Sequence, residues 1–304
     1  MTDLTYVYCL VRSPRPPVVP AHPSGMPGAR GVRLLDAGGG LRLAVSAVPA
    51  ADYGEAALAL GLQNLEWVGR RAVAHEAVVE HFLTAPAVLP MQLFTLFTSD
   101  ERALAHVARD RRRIDRILTG IERKHEWGLR LTFDQQSARG AVEKKHAVER
   151  MHGGEQQYGV EGKHGVGRTG GRSGRSAAGP ARRGAAMADV VSGAAYLARK
   201  RDLRDVTRVQ LAGAKKAADH LFTGMSRAAA RSLRRRATEQ AAPGARLLLD
   251  AAFLVPAARA GGFRAALRKH ARALPAGVVV SLTGPWPPYN FVDAPARTRP
   301  SSGR

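Results

Sequence analysis

The chain begins with a strand that is apolar at every position, Tyr6-Val7-Tyr8-Cys9-Leu10-Val11. Such a run lacks the polar positions of a half-exposed strand and is typical of a strand buried in the centre of a sheet. Residues 41–48 follow three consecutive glycines and alternate apolar and polar side chains, which predicts a second strand. The fold is therefore predicted to be organised around a sheet that contains the first strand.

Strands and helices are mixed along the rest of the chain. In the first half the patterns predict a short helix at 52–60, a helix at 70–84 that ends before Pro86, a strand at 91–97, a helix from the N-cap Ser99 to 121, and a strand at 128–133. In the second half they predict a basic helical tract from 192, a second basic helical segment at 226–237, a strand at 247–255, a helix at 257–274, and a strand at 277–283. Because helices and strands do not alternate regularly, we predict an α+β fold rather than a doubly wound sheet.

The length of 304 residues predicts two domains. Residues 135–183 are rich in glycine and have no apolar period, and residues 139–183 contain ten Lys and Arg against four Glu, as expected for a flexible linker. We therefore predict an N-terminal mixed α+β domain at 1–134, a basic linker at 135–190, a C-terminal α+β domain at 191–293 and a disordered tail at 294–304.

The chain is strongly basic, with 47 Lys and Arg against 25 Asp and Glu and a net charge of +22. Such a charge suits an anionic partner, and the arginines of the tract after residue 192 could contact phosphates. Aromatic side chains for base stacking are scarce, since residues 192–244 hold only Tyr196 and Phe222. The helical period also predicts that Val206, Ala214 and Leu221 form its buried stripe. A basic nucleic-acid-associated protein is therefore the alternative function, and binding of a specific nucleic acid is not predicted.

Segments for export or membrane insertion are not predicted. No apolar run reaches the length of about 18 residues that a membrane-spanning helix needs. The N-terminus lacks the basic and apolar regions of a signal peptide, and the single cysteine, Cys9, allows no internal disulfide. We therefore expect a protein of the reducing cytoplasm without membrane insertion.

Catalytic, cofactor-binding and metal-binding residues are not predicted either. His75 and His81 are six residues apart, whereas two zinc ligands on one helix face need a spacing of four. Glu76 and Glu80 between them are predicted to lie on a solvated or ion-paired helix face. The sequence holds no Gly-x-Ser-x-Gly elbow, and Gly162-Lys163-His164 lacks the Ser or Thr of a phosphate-binding loop. We therefore predict a protein that is not an enzyme and uses no cofactor.

A short strip near the C-terminus has an unusual composition. Residues 283–291 contain three prolines and three aromatic residues, which makes the strip stiff and lowers the entropy that it loses on docking. One interpretation is that the strip fills the core of its own domain, with Trp286 and Phe291 buried. The other is that it forms a ledge for a partner, and the two interpretations can hold together.

Several separate motifs, in order along the chain, resemble those of the gas vesicle protein family GvpF/GvpL. They are Tyr6-Val7-Tyr8, Leu65-Glu66-Trp67, residues 74–79, residues 88–97, Glu126-Trp127-Gly128-Leu129-Arg130, residues 192–197, residues 252–255 and residues 282–291. The resemblance covers nearly the whole chain except 135–183. The linker departs from the family pattern because it is longer and more basic, and Gln92 stands where a basic residue is common.

The resemblance implies a role and a partner. It implies an accessory or minor structural protein without catalytic activity, associated with the gas vesicle, whose C-terminal domain is ferredoxin-like with added long helices. Members of the family are thought to bind the hydrophobic shell protein GvpA, limit its aggregation, associate with other accessory proteins and assist nucleation. A shell subunit with an exposed apolar face could be covered by strand addition or by an apolar groove. The candidate interaction residues are Met91, Leu93, Phe94, Leu96, Phe97, Trp286, Pro287, Pro288, Tyr289 and Phe291.

Overall fold

The structure is a computed structural model that describes residues 3–19, 25–134, 136–137, 140, 193–236 and 245–292. The predicted linker, apart from residues 136–137 and 140, and the predicted tail at 294–304 lie outside the described residues.

The first sheet contains five strands. They are β1 (Asp3–Arg12), β2 (Arg33–Asp36), β3 (Leu41–Pro49), β4 (Ala87–Pro90) and β5 (Leu96–Phe97). The order is β2-β3-β1-β4, β5 also pairs with β1, and all pairs are antiparallel. Because β1 has neighbours on both edges and helices over both faces, its side chains from Thr5 to Val11 are all buried. The prediction of a central buried strand is confirmed.

Five helices cover the two faces of this sheet. They are α1 (Ala50–Tyr53), α2 (Glu55–Gly61), α3 (Leu65–His81), α4 (Asp100–Arg109) and α5 (Arg111–Ile121). The predicted helix at 70–84 begins earlier, because the Asn64 side chain caps α3 by accepting the Trp67 N–H at 3.0 Å. Ser99 caps α4 as predicted. The predicted single helix from Ser99 to 121 is interrupted at Asp110, and the change of direction lets both Val107 and Ile114 reach the core.

The second sheet contains four antiparallel strands in the order β7-β8-β6-β9. Its elements are β6 (Lys124–Asp134), α6 (Gly193–Ala228), β7 (Arg231–Arg234), β8 (Ala245–Pro256), α7 (Ala260–Ala271) and β9 (Val278–Trp286). The boundary predicted after residue 134 would place β6 in the first unit, yet β6 lies in the middle of this second sheet. Within the described part of the chain, no helix has the length and apolar character needed to cross a bilayer.

The predicted helical segment at 226–237 is wrong. α6 ends at Ala228, and residues Arg231–Arg234 pair with Ala251–Leu254 of β8. In β7 the two terminal arginines are exposed and Leu233 is half-buried against the core. The local sequence of this arginine-rich segment suggests a helix. Pairing with the edge of β8 outweighs that local preference.

One core joins the two sheets. Its buried side chains include Val7 and Leu10 from β1, Ala252 and Leu254 from β8, and Phe291 from the C-terminal strip. A separate core lies under α3 on the other face of the first sheet, and another lies between the second sheet and the helices α6 and α7. The shared core means that the two halves of the molecule are packed against each other by apolar contacts.

Candidate interaction surfaces

Residues 91–97 do not form the single strand that the sequence predicts. β4 ends at Pro90, residues 92–95 form a turn in which the Thr95 N–H donates to the Gln92 carbonyl at 3.1 Å, and β5 is only two residues long. Phe94 has a φ of 66°, which takes it out of the extended conformation. The segment stays attached to β1 because the Val7 N–H donates to the Thr95 carbonyl at 2.9 Å.

The apolar side chains of this segment are divided between two cores. Met91 and Phe97 pack against the core shared by the sheets, while Phe94 and Leu96 pack against the core under α3. Leu93 is half-buried. The sequence has more apolar residues here than one core needs because the segment crosses the end of the sheet and supplies both faces.

Phe94 lies at the edge of a short stack of side chains. The Phe94 ring stacks on the Trp67 ring with 5.5 Å between centroids. The Arg71 guanidinium carbon lies 3.6 Å from the centroid of the Trp67 ring. The Phe94 N–H donates to the Tyr6 hydroxyl at 3.3 Å. A Cβ atom at Gly61 would lie 2.7 Å from Trp67 ring carbons, so α2 packs closely on this stack. Phe94 is therefore partly covered by its own chain.

The C-terminal strip is buried at one end and partly exposed at the other. Pro287, Pro288 and Phe291 are buried, and the Phe291 carbonyl accepts a hydrogen bond from Arg231 at 3.2 Å. Trp286 is 36% exposed, so the expectation that both Trp286 and Phe291 are buried is wrong for Trp286. The buried end also fills the core between the two sheets rather than the core of the second sheet alone.

Two carboxylates hold the strip in place. Glu76 of α3 accepts a hydrogen bond from the Tyr289 hydroxyl, and Glu126 of β6 accepts the Asn290 N–H at 2.8 Å and its side-chain amide at 2.5 Å. Burial raises the pKa of both carboxyl groups, and their hydrogen bonds from the strip oppose that rise. Glu80 is exposed as predicted, but Glu76 belongs to this junction rather than to a solvated face. The sequence around Glu76 does not indicate its distant partner, Tyr289.

β9 is an edge strand with exposed apolar side chains. It pairs with β6 on one side and ends the strand order of the second sheet in the described residues. Val278, Val280 and Leu282 pack inward, whereas Val279 on the other face is 54% exposed. Trp286 follows at the end of the same strand. This edge places one predicted interaction residue beside unpaired backbone groups.

A second apolar surface lies on α2 and α3, and the sequence analysis did not identify it. Its members are exposed by more than half: Leu60 (73%), Leu62 (58%), Leu65 (86%) and Val73 (72%). We call these four residues the α2–α3 surface. The signal was present in residues 55–67, where apolar residues exceed the single stripe that one buried helix face requires. Large exposed apolar patches mark interaction sites more often than scattered single residues do.

The described residues contain no group of three or more His, Cys, Asp or Glu placed to hold a metal ion. Cys9 is fully buried, and burial raises the pKa of its thiol, so it is poorly placed to act as a nucleophile. His75 is buried with Nδ1 2.8 Å from the Tyr6 hydroxyl.

Comparisons with known proteins point to one family. The family model described as gas vesicle synthesis protein GvpL/GvpF matches residues 4–293. The chain is 28% identical to gas vesicle protein L from Streptomyces sp. (strain CB03234) over 291 residues, which is 95% of this chain and 92% of that protein. The structure resembles the crystal structure of GvpF from Anabaena sp. PCC7120 with a TM-score of 0.61 at 12% identity, covering 97% of this chain and 100% of that one. It resembles GvpF from Microcystis aeruginosa with a TM-score of 0.58 at 12% identity and the same coverage. These two likenesses concern the fold, which is mixed α+β.

Proposed function

The chain belongs to the GvpL/GvpF family of gas vesicle synthesis proteins, and from that premise we propose that it is a cytoplasmic accessory factor without enzymatic activity that binds the shell protein GvpA. In this role it limits aggregation of the hydrophobic shell protein, assists nucleation and assembly of the vesicle, and associates with other accessory proteins. The ferredoxin-like assignment of the second unit is part of this proposal. It is supported by the order β6-α6-β7-β8-α7-β9 and the antiparallel strand order.

The observation that carries the proposed site is the outer edge of β9, which pairs with no other strand among the described residues. An edge strand offers backbone donors and acceptors to an added strand, and neighbouring side chains provide apolar contact. Val279 and Trp286 are both exposed on this strand, by 54% and 36%. We propose strand addition at β9 in preference to a groove at residues 91–97, because the side chains of Met91, Phe94, Leu96 and Phe97 are largely used by the two internal cores.

The buried members of the strip support this site without contacting the shell protein. Pro287, Pro288 and Phe291 are buried, and Tyr289 and Asn290 hydrogen-bond to Glu76 and Glu126. They therefore fix the end of β9 and the position of Trp286. Only Trp286 of the predicted strip residues is proposed as a direct contact.

The test is co-expression of this chain with the shell protein, followed by pull-down and sedimentation at low and high salt. We expect the wild type to keep the shell protein in the supernatant at both salt concentrations, because apolar contact and strand pairing are screened little by ions. A wild type that captures no shell protein would contradict the proposed function.

The site is tested with Val279→Lys and Trp286→Ala. A lysine on an edge strand opposes strand addition. The fold tolerates it at position 279 because that side chain is exposed. Each variant is expected to raise the Kd for the shell protein about tenfold, which corresponds to about 1.4 kcal/mol, and to lower the captured fraction accordingly. Val18→Lys is the matched control because Val18 is 80% exposed and lies outside both sheets. Equal capture by Val279→Lys and the control would place the contact elsewhere.

A further inference from the structure

The α2–α3 surface is unusual in charge as well as in apolar exposure. Residues 50–81, which span α1 to α3, contain five carboxylates against two arginines, in a chain with a net charge of +22. Asp52, Glu55, Glu66 and Glu80 are exposed, and so is Arg70, which lies between Gly69 and Val73. The surface therefore lies in a region of net negative charge, and the chemistry that it fits is an apolar helix face in a basic region.

The outward face of α3 leaves room for such a helix. Leu65, Gly69 and Val73 follow one another at intervals of four residues, so they share one side of the helix. A Cβ atom at Gly69 would meet nothing within 4 Å. A neighbouring helix can approach closely at this glycine and contact the two larger side chains on either side of it.

A helix face with the complementary pattern lies on α6 of the same chain. Val206 and Val209 are 49% and 70% exposed, and Gly213 has open space around its Cβ position. Val206 was predicted in the buried stripe, but the described core contacts of α6 begin at Leu211, so Val206 and Val209 lie outside the described core contacts. Residues 201–216 contain five Lys and Arg against two Asp. We call Val206, Val209 and Gly213 the α6 stripe.

We propose that the α2–α3 surface of one copy of this chain docks on the α6 stripe of a second copy. Copies with a net charge of +22 repel each other, so a contact between them is favoured where the charge is locally reversed, and residues 50–81 are such a region. At physiological salt the Debye length is about 8 Å, which screens the remaining charges while the docked groups interact at short range.

The proposed contact is head-to-tail, with one α2–α3 surface on one α6 stripe between neighbouring copies. Each copy in such a contact keeps one free α2–α3 surface or one free α6 stripe, and further copies can add to form a ring or an open chain. A two-fold contact between identical surfaces would stop at a dimer. The proposal does not depend on the shell protein, and its failure is therefore distinguishable from failure of the proposed function.

The experiment is sedimentation velocity of the full chain from about 1 to 100 μM near 0.15 M salt, the concentration at which the Debye length is about 8 Å. The wild type is expected to rise from the monomer mass of 32.5 kDa to species larger than a dimer. Leu65→Lys, which breaks the α2–α3 surface, and Val209→Glu, which breaks the α6 stripe, are each expected to remain monomeric. Val18→Lys is the matched control and is expected to associate as the wild type does.

Mixing the two broken variants is the decisive step. The Leu65→Lys chain still offers an α6 stripe, and the Val209→Glu chain still offers an α2–α3 surface, so an equimolar mixture is expected to form a dimer that cannot grow. A wild type that stays at 32.5 kDa at every concentration would overturn the proposal. So would a mixture that stays monomeric, or association of Val209→Glu alone. Far-ultraviolet circular dichroism of each variant verifies that it is folded.

Discussion

Phe291 and Trp286 lie five residues apart in one strip, yet they have different energetic roles. Phe291 is 3% exposed in the core between the sheets, whereas Trp286 is 36% exposed. Phe291→Ala would remove a ring that the surrounding structure cannot replace, and we expect it to lower the free energy of unfolding by about 3 to 5 kcal/mol. Trp286→Ala is the paired control and is expected to cost much less. Urea unfolding measures both, and equal costs would contradict the buried position of Phe291.

His75 makes the stability of the protein depend on pH. Burial lowers its pKa from 6.5 to about 4, and its Nε2 has no hydrogen-bond partner among the described residues. Between these two values the unfolded chain takes up a proton that the folded chain does not, so the free energy of unfolding falls as the pH falls. The loss is at most about 3 kcal/mol. The raised pKa values of Glu76 and Glu126 act in the opposite direction, and a comparison has to separate the two effects.

His75→Asn separates them because it removes only the histidine titration. An asparagine can still place a polar atom near the Tyr6 hydroxyl, while the two glutamates are unchanged. We expect the wild type to lose more stability than His75→Asn between pH 7 and pH 4, as measured by the urea midpoint at each pH. Parallel pH profiles for the two proteins would show that His75 is not buried in its neutral form.

At the scale of elements, the contact between α2 and α3 depends on a glycine. A Cβ atom at Gly61 would lie 2.7 Å from three carbons of the Trp67 ring, which is itself held between Phe94 and Arg71. We expect Gly61→Ala to displace the ring and to cost about 1 to 3 kcal/mol. Gly69→Ala in α3 meets no atom within 4 Å and should stabilise the helix by about 0.5 to 1 kcal/mol. Tryptophan fluorescence and thermal unfolding of the two variants check these opposite signs.

The elements that could be predicted from sequence are those whose pattern is local. The predicted buried strand from Tyr6 to Val11 and the predicted N-cap Ser99 are confirmed. Burial on both faces and helix capping each depend on residue types within a few positions of one another. The strand at 91–97 and the helix at 226–237 were wrong, because their conformation depends on pairing with β1 and β8, which lie far away in the chain. Long-range pairing overrides local propensity and has no local signal.

The candidate site shows the same limit. The sequence singles out the strip at 286–291 as a candidate, because residues 283–291 contain three prolines and three aromatic residues. It could not indicate which aromatic side chain is buried, since Phe291 enters a core built from both sheets. It also missed the α2–α3 surface, because exposure of Leu60 and Leu65 is a property of the assembled fold and not of their residue type.

At the scale of the molecule, the two sheets share one apolar core. Side chains from β1, β8 and the C-terminal strip share a core, and the strip hydrogen-bonds to α3 through Tyr289 and to β6 through Asn290. We expect the wild type to unfold in a single transition, with hydrogen exchange in β1 and β8 reporting the same free energy of opening.

The double variant Tyr289→Phe with Asn290→Ala tests this coupling without removing apolar volume from the shared core. It removes the Tyr289 hydroxyl from Glu76 and the Asn290 side-chain amide from Glu126, which keeps only the N–H of residue 290, and a buried carboxylate that loses hydrogen bonds is destabilising. We expect exchange in β8 to become faster than exchange in β1, so that the two sheets report different free energies.

The single variant Asn290→Asp is a charge control, because it places a second carboxylate beside Glu126, and it should weaken the junction further as the pH rises. Equal exchange in both sheets of the double variant would mean that these two side-chain hydrogen bonds do not couple the sheets and only position the strip.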